Sequence, residues 1–553
     1  MKTTLDRQCH TVPFEAPGPG SWELDASHFD ANCSRIVREA AEYAVSEGME
    51  VGLARVGAPI LSMEARFVNG RFYRRLVPLV GGSRDLPEPP AIVLKAATRL
   101  HPEFRRRNRL AAATLEHRSW NDELERWESE WKPELIATSR RLDAVDLHKL
   151  DDWELTRHLN AAVEHMTSGL ALHFRLHVSD LGPIGLLLVR AREWGLDMTE
   201  AMQTLSGYSH ATSAPAKAMA NVRRNLPDGH LEALADLEHA PEEARLAYRA
   251  FIDEYGSRLT EGYDIRAATL GELQDTILAG INSASIDGDR AADAKASGDE
   301  AARRLREQVP VRDQAEFDYV VADARALYGL RDENGPITYQ WPAGIVRRAV
   351  LEAGKRFHRS GALHADDHVF ELSSAEIVGE LDHSARIDPD EAARRASVSA
   401  EWLTLDAPSA LGPEAALPSL DVLPAPLARL MDATLTVMEL LESPPDRPEL
   451  LGVGIGTGSF TGRARVVTDA IDALSHFEPD DILVAPFTVP TINSVLAMAG
   501  AVVVEQGGLL CHAAVIAREF GVPGIVGVAG ATSRIPDGAT IEVDAGTGTV
   551  RLI

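Results

Sequence analysis

Apolar positions recur along this chain with different periods in successive stretches. From about Pro90 to Thr404 the spacing is helical: Leu124, Trp127 and Trp131, then Leu155, Leu159, Val163, Met166 and Leu170, recur every three or four residues, as on buried helix faces. Up to about residue 90 the pattern is one of short strands and turns. Pro17-Gly18-Pro19-Gly20 is a breaker cluster, and Ala65 to Tyr73 reads as a hairpin around Asn69-Gly70, a pair suited to a tight turn between strands. Eight prolines between Ala407 and Pro448 frame one helix, Leu427 to Leu441, and mark a semi-rigid connector. Beyond it, Ala501 to Glu505 is a β-branched run expected as a buried strand, and Thr540 to Val550 reads as a hairpin with Gly546 and Gly548 in its turn. The expected organisation is a multidomain α+β chain: a β-rich segment over 1–90, a helical domain over 91–404, a hinge over 405–448 and a β/β/α domain over 449–553.

Candidate chemistry concentrates where the buried strand meets a helix. Gly507-Gly508 ends the strand, Ala513 to Phe520 are good helix formers, and Gly521 with Pro523 stops them. His512 therefore stands at a helix start, where unpaired backbone N–H groups and the positive end of the macrodipole suit a phosphoryl group. Imidazole is a good nucleophile near neutral pH, and its phosphoramidate passes the group on readily. Cys511 and Leu510 flank it without charge.

The run Gly507-Gly508-Leu509-Leu510-Cys511-His512-Ala513-Ala514-Val515-Ile516-Ala517-Arg518 resembles the phosphohistidine motif of the enzymes that use phosphoenolpyruvate, such as pyruvate phosphate dikinase and phosphoenolpyruvate synthase. Leu510 departs from the pattern, which has a Thr there in most members; a similar apolar residue occurs in the rifampin phosphotransferase branch. The resemblance extends to Asp481–Pro486, Val495–Val503 and Gly521–Val528 as strands and helix around the motif. It implies a swivelling domain with His512 as covalent relay, and Gly507, Gly508, Cys511, Ala513 and Arg518 as the residues that position the group. Three looser clusters resemble the drug-binding region of the same branch: Phe251, Tyr255-Gly256 and Arg258 with Glu261 and Asp264; Arg331 to Asn334 with Arg347; and Gly361 to Leu372 with Glu376. They imply a substrate domain in which Tyr255, Arg258, Glu261, Asp264, Arg331, Asn334 and Arg347 are candidate contacts. On their residue types alone, Arg258, Glu261 and Asp264 equally make a polar network that fixes helix packing.

Composition narrows the classes. At 553 residues with 45% apolar positions there is material for about three domains. With 56 basic and 83 acidic residues the net charge is −27, which argues against nucleic acid or an anionic membrane as partner. Three cysteines form neither a disulfide framework nor a CxxC site. No apolar signal core or long uncharged apolar run occurs, so a reducing cytoplasm is expected. His173 and His177 are four apart and, with His165, could line a pocket, but no acidic ligand accompanies them, and no metal is expected. Arg105 to Arg109 reads as a solvated helix face. No Gly-x-x-x-x-Gly-Lys-(Ser/Thr) occurs, and Gly452, Gly454, Gly456 and Gly458 fail the dinucleotide spacing and read as a loop entering the strand from Phe460 to Val467.

The resemblance then implies half of a split dikinase. The chain would bind no cofactor itself; a separate ATP-grasp partner using ATP with Mg2+ would load His512, and the acceptor would be a hydroxyl-bearing small molecule. Two alternatives stay open: phosphorylation that activates the acceptor for dehydration or ligation, and a non-catalytic relative that binds a ligand or partner.

Overall fold

The computed structural model describes residues 11–25, 28–29, 32–80, 90–227, 229–260, 262–284, 290–413, 419–441, 450–456, 458–467, 477–488, 496 and 498–553. They form two compact units, each assembled from separate stretches of chain. The first comprises Met1–Ser179, Ser257–Thr269 and Asn334–Arg429; the second comprises Asp180–Gly256, Leu270–Glu333 and Leu430–Ile553. The helical zone of 91–404 thus contributes to both.

In the first unit, strands β1 (Trp22–Leu24), β2 (Ile60–Val68), β3 (Arg71–Pro78) and β4 (Ala410–Leu411) make an antiparallel sheet in the order β2-β3-β1-β4. The turn between β2 and β3 has φ of 47° at Asn69 and 71° at Gly70. Positive φ at both central residues is the hairpin turn that Asn-Gly favours. Residues 1–90 are nevertheless not all strand and turn, because Arg35–Val56 is a 22-residue helix. Its Ile36, Val37, Ala40, Ala41, Ala44 and Val45 share a core with Phe67 and Phe72 of the hairpin. Gly48 and Gly52 disguise the helix in the sequence, and packing explains them. A Cβ at Gly48 would stand 2.1 Å from the Ala171 carbonyl oxygen, and one at Gly52 would stand 2.7 Å from that of Arg175. Both carbonyls belong to the helix Asp152–Glu193, whose Leu155, Leu159, Met166 and Leu170 are fully buried. Helix Trp341–Ser360 completes this core and lies equally close to its neighbour: a Cβ at Gly344 would meet the Ser257 carbonyl oxygen at 1.7 Å.

The second unit holds a seven-stranded sheet of β5 (Val453–Ile455), β6 (Ser459–Val466), β7 (Ile482–Ala485), β8 (Ala501–Val504), β9 (Gly524–Val526), β10 (Thr540–Asp544) and β11 (Thr549–Leu552). Its order is β11-β10-β6-β7-β8-β9-β5. The pairs from β6 to β9 are parallel, and those at the two edges are antiparallel. The glycines near 454 are not wholly loop, since β5 pairs with β9 through Val453–Ile455. Gly454 permits this by passing so close to Ala545 that a Cβ would stand 1.8 Å from its carbonyl oxygen. Successive residues of the central strands serve opposite faces. Ile482, Val484, Ala501 and Val503 enter one core, while Leu483, Ala485, Val502 and Val504 enter another. Burial on both faces explains why these strands are unbroken apolar runs. The second of those cores is shared with helical residues Ile184, Leu188, Leu205, Val320 and Ala324. Helix Ala425–Leu441 contains the helix expected between the proline clusters.

Gly344→Ala is expected to lower stability by about 1–3 kcal/mol, the ordinary cost of overpacking a filled site, as a reduced urea midpoint. Gly182→Ala, where a Cβ meets nothing within 4 Å, is expected to leave the midpoint unchanged or raise it.

Candidate functional site

The site is built on the crossover from β8 to the helix His512–Phe520. Gly507 has φ of 103°, and a Cβ there would stand 2.5 Å from Cys511 Cβ. Only glycine suits such a turn, in which the strand end folds back over the start of the helix. Cys511 is the N-cap, with its carbonyl accepting from the Val515 N–H at 3.0 Å, and His512 is the first helical residue. The first amides of this helix lack partners within it. At the other end Gly521 takes the left-handed conformation at φ 63° and closes the helix.

Thr488, just beyond β7, places its Oγ1 2.9 Å from His512 Nδ1. When the hydroxyl oxygen accepts from Nδ1–H, the lone pair of the ring is on Nε2. Desolvation pushes the His512 pKa down to about 4, so the ring is neutral at pH 7. The motif reading did not include Thr488; the only trace in the sequence is a polar residue following the apolar run Ile482–Ala485.

Two arginines hold the loop that precedes His512. Arg518, 2% exposed, donates from Nη1 to the Leu509 carbonyl at 2.6 Å, and Arg331 donates from Nη2 to the Leu510 carbonyl at 3.2 Å. Arg518 Nη2 and Arg331 Nε are buried with no hydrogen-bond partner among the described residues, as is the Tyr328 hydroxyl. Unsatisfied buried donors of this kind are what an incoming anion would complete. Arg331 and Tyr328 lie on helix Gln314–Gly335, which brings Arg331 to the motif although it is distant in sequence. Leu510 is buried at 1% exposure, its side chain supplying core where the usual motif has a hydroxyl.

Beside Arg518 lies Glu519, 1% exposed, whose Oε1 accepts the Gly207 N–H at 3.1 Å. Burial raises its pKa to about 8, reinforced by the negative charge of Asp332, which itself accepts a hydrogen bond from the Ser209 hydroxyl.

The other candidate residues are dispersed. Tyr255 is in the second unit, its ring 5.5 Å from that of Phe251 at the edge of a separate helical core. Arg258, Asp264, Asn334 and Arg347 are in the first unit. Arg258 lies over the Trp341 ring at 5.4 Å. Asp264 accepts from the Ser34 N–H at 2.6 Å and the Cys33 thiol at 3.0 Å. Arg347 donates to the carbonyls of Ile265 and Arg266, both at 2.9 Å. Asn334 donates to the His173 carbonyl at 3.1 Å. These contacts fix the 257–269 segment and the helices around it. Glu261 falls outside the described residues.

Residues 477–548 match the family model described as the mobile domain of PEP-utilising enzymes. Residues 193–332 match the fourth domain of rifampicin phosphotransferase, so the helical part of the second unit, Arg331 included, resembles that enzyme branch as well. A rifampicin phosphotransferase of Streptomyces sviceus is 28% identical over 59% of this chain and 36% of its own length. Chondramide synthase of Chondromyces crocatus is 24% identical over 96% of this chain and 14% of its own. An uncharacterised phosphotransferase of Bacillus subtilis is 28% identical over 38% of this chain and 24% of its own. The chain therefore spans well under half of each of these relatives. Among the described residues no helix is long and apolar enough to cross a membrane.

The buried Glu519 predicts a pH dependence. Its carboxyl titrates at about 8 in the folded chain and near 4.3 when unfolded, so the folded state binds the extra proton. Its contribution to stability is fully present below the unfolded value and is lost as pH rises towards 8. In urea titrations between pH 5 and 9, Glu519→Gln should show a smaller decline of the midpoint with pH than the unsubstituted chain.

Proposed function

We propose that this chain is the carrier and acceptor-binding part of a phosphotransferase, in which His512 receives a phosphoryl group and delivers it to a small molecule. The observation that carries the reading is the set of groups around one neutral imidazole. Thr488 lies within hydrogen-bond distance of its Nδ1, a helix start presents amides beside it, and two arginines anchor the carbonyls of Leu509 and Leu510. Phosphoryl transfer asks for this arrangement, because its transition state spreads negative charge over three oxygens and is stabilised by preorganised donors. The chain's own residues would act as follows. His512 Nε2 attacks phosphorus, Arg331 and the first turn of the helix hold the phosphoryl oxygens, and Arg518 keeps the loop rigid. The similarity to rifampicin phosphotransferases supports a hydroxyl-bearing acceptor. In this proposal a separate ATP-grasp protein supplies the phosphoryl group from ATP with Mg2+.

The likeness to chondramide synthase over 96% of this chain favours a second reading, in which the phosphate is a leaving group and the final product is dehydrated or ligated. Mass analysis of the product distinguishes the two: a retained phosphate supports simple transfer, and its absence from a changed acceptor supports activation.

The test of the carrier is acid-labile label on the purified chain incubated with host extract and ATP labelled in its β-phosphate. Label is expected on the unsubstituted chain and not on His512→Ala; label in both, or in neither while a control carrier is labelled in the same extract, overturns the proposal. Labelled phosphoenolpyruvate in parallel identifies the donor, with ATP expected. Thr488→Val should slow labelling about tenfold, which is the loss of one hydrogen bond worth roughly 1.4 kcal/mol, while the far-UV circular dichroism spectrum is unchanged.

A further inference from the structure

Two arginines of the second unit carry charge into its interior without a carboxylate to balance it. Arg518 is 2% exposed, and Arg331 is partly buried on helix Gln314–Gly335. Neither forms an ion pair among the described residues. Arg518 donates from Nη1 to the carbonyls of Leu509 at 2.6 Å and Ala514 at 3.4 Å, and Arg331 donates from Nη2 to the Leu510 carbonyl at 3.2 Å. A carbonyl accepts a hydrogen bond but cancels no charge. Arg518 Nη2 and Arg331 Nε remain buried with no partner among the described residues. The Tyr328 hydroxyl is a third group of this kind, on a residue 1% exposed and one helical turn before Arg331.

The three groups belong together. The two guanidinium groups are tied to successive carbonyls, and Tyr328 shares a helix face with Arg331. Burial raises the pKa of the Tyr328 phenol, and the charges of Arg518 and Arg331 pull it back, an effect that requires both to be near. The acids beside them are engaged elsewhere. Asp332 accepts from the Ser209 hydroxyl, and Glu519 accepts the Gly207 N–H at 3.1 Å. Burial lifts the Glu519 pKa to about 8, so this carboxyl is mostly neutral at pH 7. A buried cation is ordinarily paired, and a buried donor ordinarily has an acceptor. Water would meet the second requirement and not the first; an anion meets both. A tetrahedral oxyanion offers several acceptor oxygens to donors arriving from different side chains, which suits two guanidinium groups and a phenol.

We propose that Arg331, Arg518 and Tyr328 form a binding site at the Leu509–Leu510 turn for a free oxyanion of the phosphate class. The inference stands apart from the phosphotransfer reading, since it needs neither a loaded His512 nor an acceptor. Bound phosphate offsets the charge of both arginines while each keeps its grip on the turn that leads into His512.

The probe is inorganic phosphate, titrated by calorimetry into the full, unphosphorylated chain at pH 7 in a buffer whose own anion is a bulky sulfonate. One saturable site per chain is expected. The urea midpoint should rise with phosphate along the same binding curve, because a ligand held only by the folded state stabilises it. Arg331→Gln should weaken binding about tenfold or more, and Tyr328→Phe by roughly fivefold. Absence of saturable binding to the unsubstituted chain overturns the proposal. Undiminished affinity in both variants overturns it too, because the phosphate then sits elsewhere. Chloride bound as tightly as phosphate overturns the oxyanion assignment. Tyr328→Phe removes one oxygen and keeps the ring, so it tests the site even where Arg331→Gln fails to fold. The titration involves no labelling of His512, so failure of the carrier and failure of this site are read separately.

Discussion

Enclosure of the short helix His512–Phe520 is the constraint on which the chemistry of the second unit depends. Every residue from Ala513 to Phe520 is buried, because the helix has the sheet on one side and helical segments on the other, within one apolar core. A helix of nine residues has little stability of its own; its packing holds it in place. Enclosure also determines what its polar residues must do. Arg518 and Glu519 cannot reach water and take backbone partners instead, the Leu509 carbonyl and the Gly207 N–H. His512 at the open end is kept neutral by the same loss of solvent, which is the state a nucleophile needs.

The hydroxyl at the histidine comes from an unexpected place. The resemblance locates it two residues before the histidine, where this chain has Leu510. In the structure Leu510 is core, and the hydroxyl on Nδ1 belongs to Thr488, at the end of a neighbouring parallel strand. Leu510 still contributes through its backbone, since its carbonyl is what Arg331 grips. The side chain at this position serves packing and the main chain serves the site, so the substitution and the chemistry are compatible.

Arginines tie down main chain in both units. In the second, Arg518 and Arg331 grip the carbonyls of Leu509 and Leu510, and each keeps one buried N–H without a partner among the described residues. In the first, arginines act as ties: Arg347 grips the carbonyls of Ile265 and Arg266, and Arg258 lies over Trp341. Four of the residues singled out by likeness to a drug-binding region thus fix loops and helices.

Much of this was legible in the chain. The Asn69-Gly70 hairpin, the strand before Gly507, the helix from His512 to Gly521 and the final hairpin follow from local rules of turn conformation, helix capping and apolar periodicity, which involve residues a few positions apart. The glycine turn that leads into His512 was legible for the same reason, being one strand, one turn and one helix in unbroken succession. The helix Arg35–Val56 was hidden because its glycines are required by close approach to Ala171 and Arg175, and local propensity contains no term for that contact. Thr488 was hidden in the same way, and Arg331 was singled out as a candidate contact for the acceptor without its place beside the motif. Their roles rest on distances between residues tens or hundreds of positions apart, set by the parallel register of β7 with β8 and by the packing of helix Gln314–Gly335. The sequence by itself determined most of the local elements and which histidine stands at a helix start after a glycine turn. Only the tertiary structure decided which side chains surround it, because hydrogen bonds and desolvation act through space and not along the chain.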